Sequence, residues 1–199
     1  GREEVAAAQG VEDQSDVGVR QELQVDASRV RVDPSKELGK GNWTVVYKGE
    51  LDGHPVAVKK AVKDEKELRR EMGILQELSH ENVVELQGTC FKDGNLLEIL
   101  ELCHQGSLEH MVKEKADVLD VPTRHSMAID VAKGLFYLHN CRVYHGDLKL
   151  ANILVTEDNR CKLADFNLAK SIPEGKDSFH PRGGTTLYSA PEVLKSKEA

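Results

Sequence analysis

No apolar run in this 199-residue chain approaches the ~20 residues a bilayer-spanning helix needs, so no helical membrane span is expected. A positive balance is missing too. Twenty-seven Lys and Arg stand against 34 Asp and Glu, a net charge of −7, so bulk binding to nucleic acid or to an anionic membrane surface is not expected. Cysteine is sparse: Cys90, Cys103, Cys141 and Cys161 show no C-x-x-C or other metal-type spacing. They read as reduced, mostly buried thiols of a cytoplasmic or nuclear protein. Seven histidines (His54, His80, His104, His110, His125, His139 and His180) also lack metal-ligand spacing and read as caps, turns or surface residues. There is no internal repeat, no legible leader and no initiating methionine before Gly1, which reads as a fragment or a processed product. The length suffices for one domain with a real core. Oligomeric state is not legible.

What is present begins with a polar, acidic, poorly periodic stretch, 1–28, read as a disordered tail. From about Val30 the pattern is strand-like: Val30, Val32 and Leu38, then Val45-Val46-Tyr47 and Val56-Ala57-Val58, with Asp52-Gly53 as a turn. Residues 65–79 switch to helical period, with Leu68, Met72, Leu75 and Leu78 on one face. Val83 to Leu86 and Leu96 to Leu102 read as strands about a Lys92-Asp93-Gly94-Asn95 turn. A helix is predicted over 122–140 with Ala128, Val131, Ala132, Leu135 and Leu138 inward. The sequence therefore predicts an α+β protein of two lobes, a β-rich 29–102 with one main helix and a helical 103–199, joined near 103–106.

The second lobe carries the chemistry. Asp147, Asn152 and Asp165 follow one another at a spacing that suits phosphoryl transfer, with a loop aspartate beside two metal-binding oxygens. Ile153-Leu154-Val155 and Cys161-Lys162-Leu163-Ala164 flank the turn Thr156 to Arg160. Antiparallel pairing about that turn brings Asn152 and Asp165 to the open end of a hairpin. Two side-chain oxygens at one point suit Mg²⁺. Asp147 lies just upstream, placed to accept a proton from a hydroxyl nucleophile, with Lys149 in the same loop. An ordinary hairpin with polar ends is the plain alternative for one Asp–Asn pair, and this spacing weighs against it.

A glycine loop, Gly39-Lys40-Gly41-Asn42-Trp43-Thr44, sits between two predicted strands, and glycine lets backbone N–H groups approach phosphate. Thr44 holds the third glycine position of G-x-G-x-x-G, so weakened nucleotide affinity is expected. Trp43, at the loop tip, is assigned no catalytic role. Strand alternation puts Ala57 and Lys59 on one face: the small residue leaves room for an adenine ring, and the lysine reaches phosphate. Glu71 is a carboxylate on the apolar stripe of its helix, and such a charge wants a partner, so Lys59–Glu71 is the candidate pair.

Taken in order, the glycine loop, Val-Ala-Val-Lys59, Glu71, His145-Gly146-Asp147, Asn152, Asp165-Phe166-Asn167 and Ala190-Pro191-Glu192 resemble the eukaryotic protein kinase family over about Leu38 to Leu194. The resemblance implies the two-lobe protein-kinase-like fold and ATP as phosphate donor. Lys59 would orient the α/β-phosphates, held by Glu71. Asp147 would position a substrate hydroxyl, and Lys149 would steady the transferring group. Asn152 and Asp165 would hold two Mg²⁺ ions. It also implies an adenine site at Leu38, Gly39, Gly41, Val46, Ala57 and Leu154, with Glu101 to Cys103 as the hinge and Leu100 as gatekeeper. Leu75, Leu86, His145 and Phe166 would form a hydrophobic spine. Lys149 and Gly184-Thr185-Thr186-Leu187-Tyr188 resemble the serine/threonine type, whose partners are protein substrates with Ser or Thr acceptors, and Thr185 would contact the catalytic loop. The first lobe has a tyrosine-kinase-like or Mos-like flavour.

Four departures stand out. Gly146 replaces the usual arginine before Asp147, so phosphorylation within Ser171 to Thr186 is not expected to switch activity by an ion pair there. Asn167 replaces a glycine and is expected to tolerate its positive φ. Glu98, an acid inside a strand, is expected to face solvent. A kinase second lobe would continue for roughly another hundred residues past Ala199, within the usual domain range, so the chain alone is expected to be marginally stable. The alternative to catalysis is a pseudokinase or a fragment that binds nucleotide or partners without turnover. Intact Lys59, Asp147, Asn152 and Asp165 weigh against it.

Overall fold

The computed structural model describes residues 18–41, 43–114, 119–175 and 183–195. Five antiparallel strands form the first lobe in the order β1-β2-β3-β5-β4. They are β1 (Val30–Lys40), β2 (Thr44–Leu51), β3 (His54–Ala61), β4 (Leu86–Lys92) and β5 (Asn95–Glu101). The turns are where the sequence put them. Asp52 and Gly53, then Asp93 and Gly94, take the positive φ that tight hairpins need. Alternation sorts the faces. Val56, Val58, Leu97 and Ile99 form a small core on one side, while Ala57, Leu96 and Leu100 join the main core on the other.

Part of the expected tail is packed. Residues 1–17 lie outside the described residues, but Val19 is buried, and Val25 donates its amide to the Thr89 carbonyl at 2.9 Å. Lys92 Nζ bonds the carbonyls of Ala27 and Val30, so the stretch 18–29 is bound along β4. Its few apolar residues were too widely spaced to show a period.

Helix α1 (Lys66–Leu75) buries Leu68, Glu71, Met72 and Leu75. It ends earlier than the expected residue 79. Leu78 stays buried, but in a turn, because Ser79 is drawn to the Tyr137 hydroxyl at 2.8 Å. Val83 and Val84 do not begin the strand expected over 83–86, since β4 starts at Leu86. They pair instead with the second lobe: Val84 donates to the Leu163 carbonyl at 2.9 Å, and Leu163 to the Asn82 carbonyl at 2.9 Å.

The second lobe holds α2 (Leu108–Glu114), α3 (Val121–Asn140), β6 (Val143–Tyr144), β7 (Ile153–Val155), β8 (Cys161–Leu163), β9 (Lys170–Ser171) and α4 (Pro191–Lys195). Asp120 caps α3 by accepting the Thr123 amide at 2.8 Å, with Pro122 in the first turn. The inward face of α3 is rotated from the expected one. Met127, Asp130, Gly134 and Leu138 are buried, Val131 and Leu135 are partly buried, and Ala128 and Ala132 are exposed. The β7–β8 hairpin selects this face. A Cβ on Gly134 would lie 2.7 Å from the Asn82 carbonyl and 3.0 Å from Leu163, so only glycine allows this approach. Phe136 is 70% exposed on the outer face.

Asp130 ties α3 to the hairpin by accepting two Arg160 bonds at 2.9 Å and the Cys161 amide at 3.0 Å. Burial pushes its carboxyl up, but these donors outweigh burial and hold it below the usual carboxylate range. A depressed folded pKa adds stability above the unfolded value of about 3.9, and that stability is lost as pH falls through the folded value. Asp130→Asn is therefore expected to lower stability by about 1–3 kcal/mol at pH 7. The deficit should shrink in melts taken below about pH 4. A deficit that stays constant down to acid pH would refute the assignment.

Candidate active site

Lys59, on β3, is 4% exposed and faces α1. Its Nζ meets Glu71 Oε2 at 2.5 Å and Asp165 Oδ1 at 3.2 Å. Burial opposes the lysine's charge, but the carboxylates of Glu71, Asp165 and Glu98 outweigh it and hold Lys59 above the ordinary lysine pKa. Burial pushes Glu71 up, and the lysine pulls it back. The other oxygen of Glu71 accepts the Phe166 amide at 2.9 Å, a link from α1 to the residue after Asp165 that the sequence did not reveal.

The hairpin geometry is as expected. Ile153 pairs with Leu163, and Ala164 donates to the Asn152 carbonyl at 2.9 Å, which places Asp165 one residue beyond. Asn152 spends its Nδ2 on the Asp147 carbonyl at 2.8 Å and on Asp147 Oδ2 at 3.1 Å, which leaves an amide oxygen as its other polar atom. Positive φ falls on Asp165, at 62°, and not on Asn167, contrary to expectation. Asn167 uses its Nδ2 to bond Asp165 Oδ1, and its own buried Oδ1 has no partner among the described residues. The oxygens of Asn152 and Asp165 form a hard, all-oxygen donor set that fits Mg²⁺.

Asp147 is the centre of the polar network in its loop. Oδ2 meets Lys149 Nζ at 2.6 Å, while Oδ1 accepts the Thr185 amide at 2.8 Å and the Thr185 hydroxyl at 2.7 Å. Burial raises its pKa, but the bonds from Lys149 and Thr185 win, so the carboxyl sits below its usual range and stays an acceptor. Lys149 also reaches Thr185 Oγ1 at 3.1 Å. His145, 3% exposed, bonds the Ala164 carbonyl at 3.0 Å and lies 4.9 Å from the Phe166 ring. Leu75, Leu86 and Phe166 share one core cluster that spans both lobes.

The residues expected at the nucleotide end lie mostly on β1, β2, β3, β5 and β7. Gly39 pairs with Val46 on β2, and the Gly41 amide closes on the Thr44 carbonyl at 2.8 Å. Asn42 lies outside the described residues. Leu38 is half exposed at the end of β1. Trp43 is also half exposed, with Lys63 Nζ 5.9 Å from its ring. Ala57 and Leu100 are buried, Val46 and Leu154 are partly buried, and all four pack in or against the main cluster. Glu101 is held by Lys162 at 2.7 Å and by the Glu85 amide at 2.8 Å. Cys103 is buried, and burial pushes its thiol up to about 12. A cavity lined by Val32, Pro34, Tyr47, Lys60 and Lys92 lies on the opposite face of the sheet and contains none of these residues.

Glu98 does not face solvent. It is wholly buried, at 0% exposure, on the face shared with Lys59. Its parity with Leu96 and Leu100, both inward, was the available signal. An acid inside an apolar run outweighed it.

A two-lobe arrangement with a paired lysine, a glycine loop and the Asp147 loop points to the class. The chain belongs to the protein kinase family: the protein kinase domain model matches residues 32–199. It is 36% identical over 184 residues to the probable serine/threonine-protein kinase drkC of Dictyostelium discoideum, covering 86% of this chain and 24% of that protein. It is likewise 36% identical over 197 residues to the probable serine/threonine-protein kinase PBL17 of Arabidopsis thaliana, covering 90% of this chain and 44% of that protein. A third relative, the cysteine-rich receptor-like protein kinase 46 of Arabidopsis thaliana, is 37% identical over 175 residues, covering 80% of this chain and 28% of that protein. The chain thus spans less than half the length of each of these relatives.

Proposed function

We propose that the protein carrying this chain transfers the γ-phosphate of ATP to serine or threonine hydroxyls of protein substrates. The observation that carries this reading is the convergence of two charged networks, Lys59–Glu71–Asp165 and Asp147–Lys149–Asn152, at the open end of one hairpin. Adenine fits between Val46 and Ala57 above and Leu154 below, against the Glu101 to Cys103 strand end. The glycine loop offers backbone donors to the phosphates, and Lys59, held by Glu71, orients them. Asn152 and Asp165 would hold magnesium, which when bound neutralises charge on the phosphate oxygens. Asp147 orients the incoming hydroxyl and takes its proton. Lys149, 2.6 Å from Asp147, places a positive charge where the phosphoryl group crosses. The low pKa of Asp147 makes it a weak base, which suits a step driven by positioning. Protein kinase relatives and the intact site favour turnover over a pseudokinase. The buried thiols Cys90, Cys103 and Cys161 support a reducing compartment, cytoplasm or nucleus. Among the described residues no helix is long and apolar enough to cross a membrane.

The test is a melting curve with ATP, with and without Mg²⁺, beside Asp165→Ala, followed by transfer of labelled γ-phosphate. Saturation at a hundredfold over Kd is expected to add about 2.7 kcal/mol. The gain should need Mg²⁺ and vanish in the variant. A parent with no Mg²⁺-dependent gain and no label on serine or threonine would overturn the reading.

A further inference from the structure

The proposed chemistry makes no use of Glu98. Among the described residues, neither of its carboxyl oxygens has a hydrogen-bond partner. In the sheet it stands opposite Lys59 on β3 and opposite Thr89 on β4. Directly paired residues carry their Cβ atoms about 4.5–5.5 Å apart on the same face. Thr89 offers it nothing, since its hydroxyl is given to the Leu97 carbonyl at 2.9 Å. Burial first, then the charges of Glu71 and Asp165, hold Glu98 well above the usual carboxylate range, while Lys59 draws it down. Leu96 and Leu100 on the same strand show that β5 accommodates apolar side chains in this layer, so a buried, unmet acid is a costly choice.

Lys59 explains the choice. Its ammonium has three donors and two acceptors, Glu71 and Asp165. Both acceptors have other partners: Glu71 also accepts the Phe166 amide at 2.9 Å, and Asp165 also accepts from Asn167. Asp165 is needed at the metal in the function proposed above. Glu71 rides on a 10-residue helix that carries Gly73 in its interior and whose first turn is held by Asp64, which accepts the Lys66 amide at 3.0 Å. A buried ammonium that loses its counter-charge is strongly destabilised.

We propose that Glu98 is the reserve counter-ion of Lys59, taking the ammonium when α1 carries Glu71 away and returning it when α1 closes. Glu98 is thus a positioning residue that reaches the phosphates only through Lys59. Its consequence for turnover rests on the kinase reading, whereas the pairing itself does not.

A double-mutant cycle on the full chain tests it, with Glu71→Gln, Glu98→Gln and the double variant compared by thermal melting. Glu98→Gln alone is expected to leave the melting temperature nearly unchanged. In the Glu71→Gln background it should lower it by about 5 °C or more, because Lys59 then keeps only the longer contact to Asp165, at 3.2 Å. Glu98→Leu serves as a second cycle, since glutamine also carries unmet polar atoms. ATP affinity, read from the fluorescence of the single tryptophan, Trp43, should tighten about threefold in Glu98→Gln, as Lys59 is no longer shared. Additive melting shifts in both cycles overturn the proposal. Absent phosphotransfer by the parent would sink the kinase reading and leave the melting cycle free to decide the pairing.

Discussion

Asp147→Asn is expected to cut kcat for protein phosphorylation by roughly 10²–10⁴ while ATP still binds. The reason lies in what surrounds the carboxylate. Its two oxygens accept from Lys149, Asn152, the Thr185 amide and the Thr185 hydroxyl. An asparagine must aim an NH₂ at one of these donors. Either the amide turns, or Lys149 and Thr185 let go, and each outcome disorders the point where the hydroxyl is held. Lys59 and Glu71 are untouched, so the nucleotide end keeps its geometry. Single-turnover transfer, with ATP affinity followed by Trp43 fluorescence, separates the two. A variant that transfers phosphate within a few-fold of the parent would remove Asp147 from the mechanism.

The second large effect is expected at Gly146, where the chain departs from the usual arginine. Gly146 has φ of +83°, and a Cβ there would lie 2.4 Å from the Leu168 carbonyl oxygen and 2.9 Å from its carbon. Leu168 cannot easily yield. It is the third residue of the Phe166–Ala169 turn, closed at 2.9 Å, which leads directly into β9, the partner of β6. Left-handed strain alone costs about 1–2 kcal/mol for a side chain, before the clash is relieved. Gly146→Ala is therefore expected to lose about 2–4 kcal/mol of stability, and Gly146→Arg at least as much. Restoring the family's arginine would displace the Asp165 to Leu168 segment and not install a phosphate clamp. Alanine replacement of Ser171, Thr185 and Thr186 separates the cases: loss is expected at Thr185, which bonds Asp147 directly, and not at Ser171. Ser178 lies outside the described residues. A Gly146→Arg protein that melts with the parent and gains activity on phosphorylation would refute this account.

Much of the candidate site is legible in the sequence, because its rules are local. Period-two alternation placed Ala57 and Lys59 on one face. Helical period placed Glu71 among Leu68, Met72 and Leu75. A turn centred between two short apolar runs brought Asn152 to the hairpin end where Asp165 follows. Each rests on backbone geometry within a few residues. Only the tertiary structure decided which surface each element would bury. Glu98 shares the parity of Leu96 and Leu100, and it is inside because α1 covers that face of the sheet. The buried stripe of α3 is rotated because the hairpin needs Gly134 for close approach and Asp130 for Arg160. Val83 and Val84 pair with β8 across the lobes, and residues 18–29 lie along β4, through partners far away in sequence. The positive φ assigned to Asn167 belongs to Asp165. The sequence by itself determined which polar side chains stand at the strand, helix and hairpin positions of the candidate site, and in what order. Which of them are buried together, and whether a neighbour such as Leu168 leaves room for a side chain, was decided by long-range packing, whose free energy depends on partners that no local pattern names.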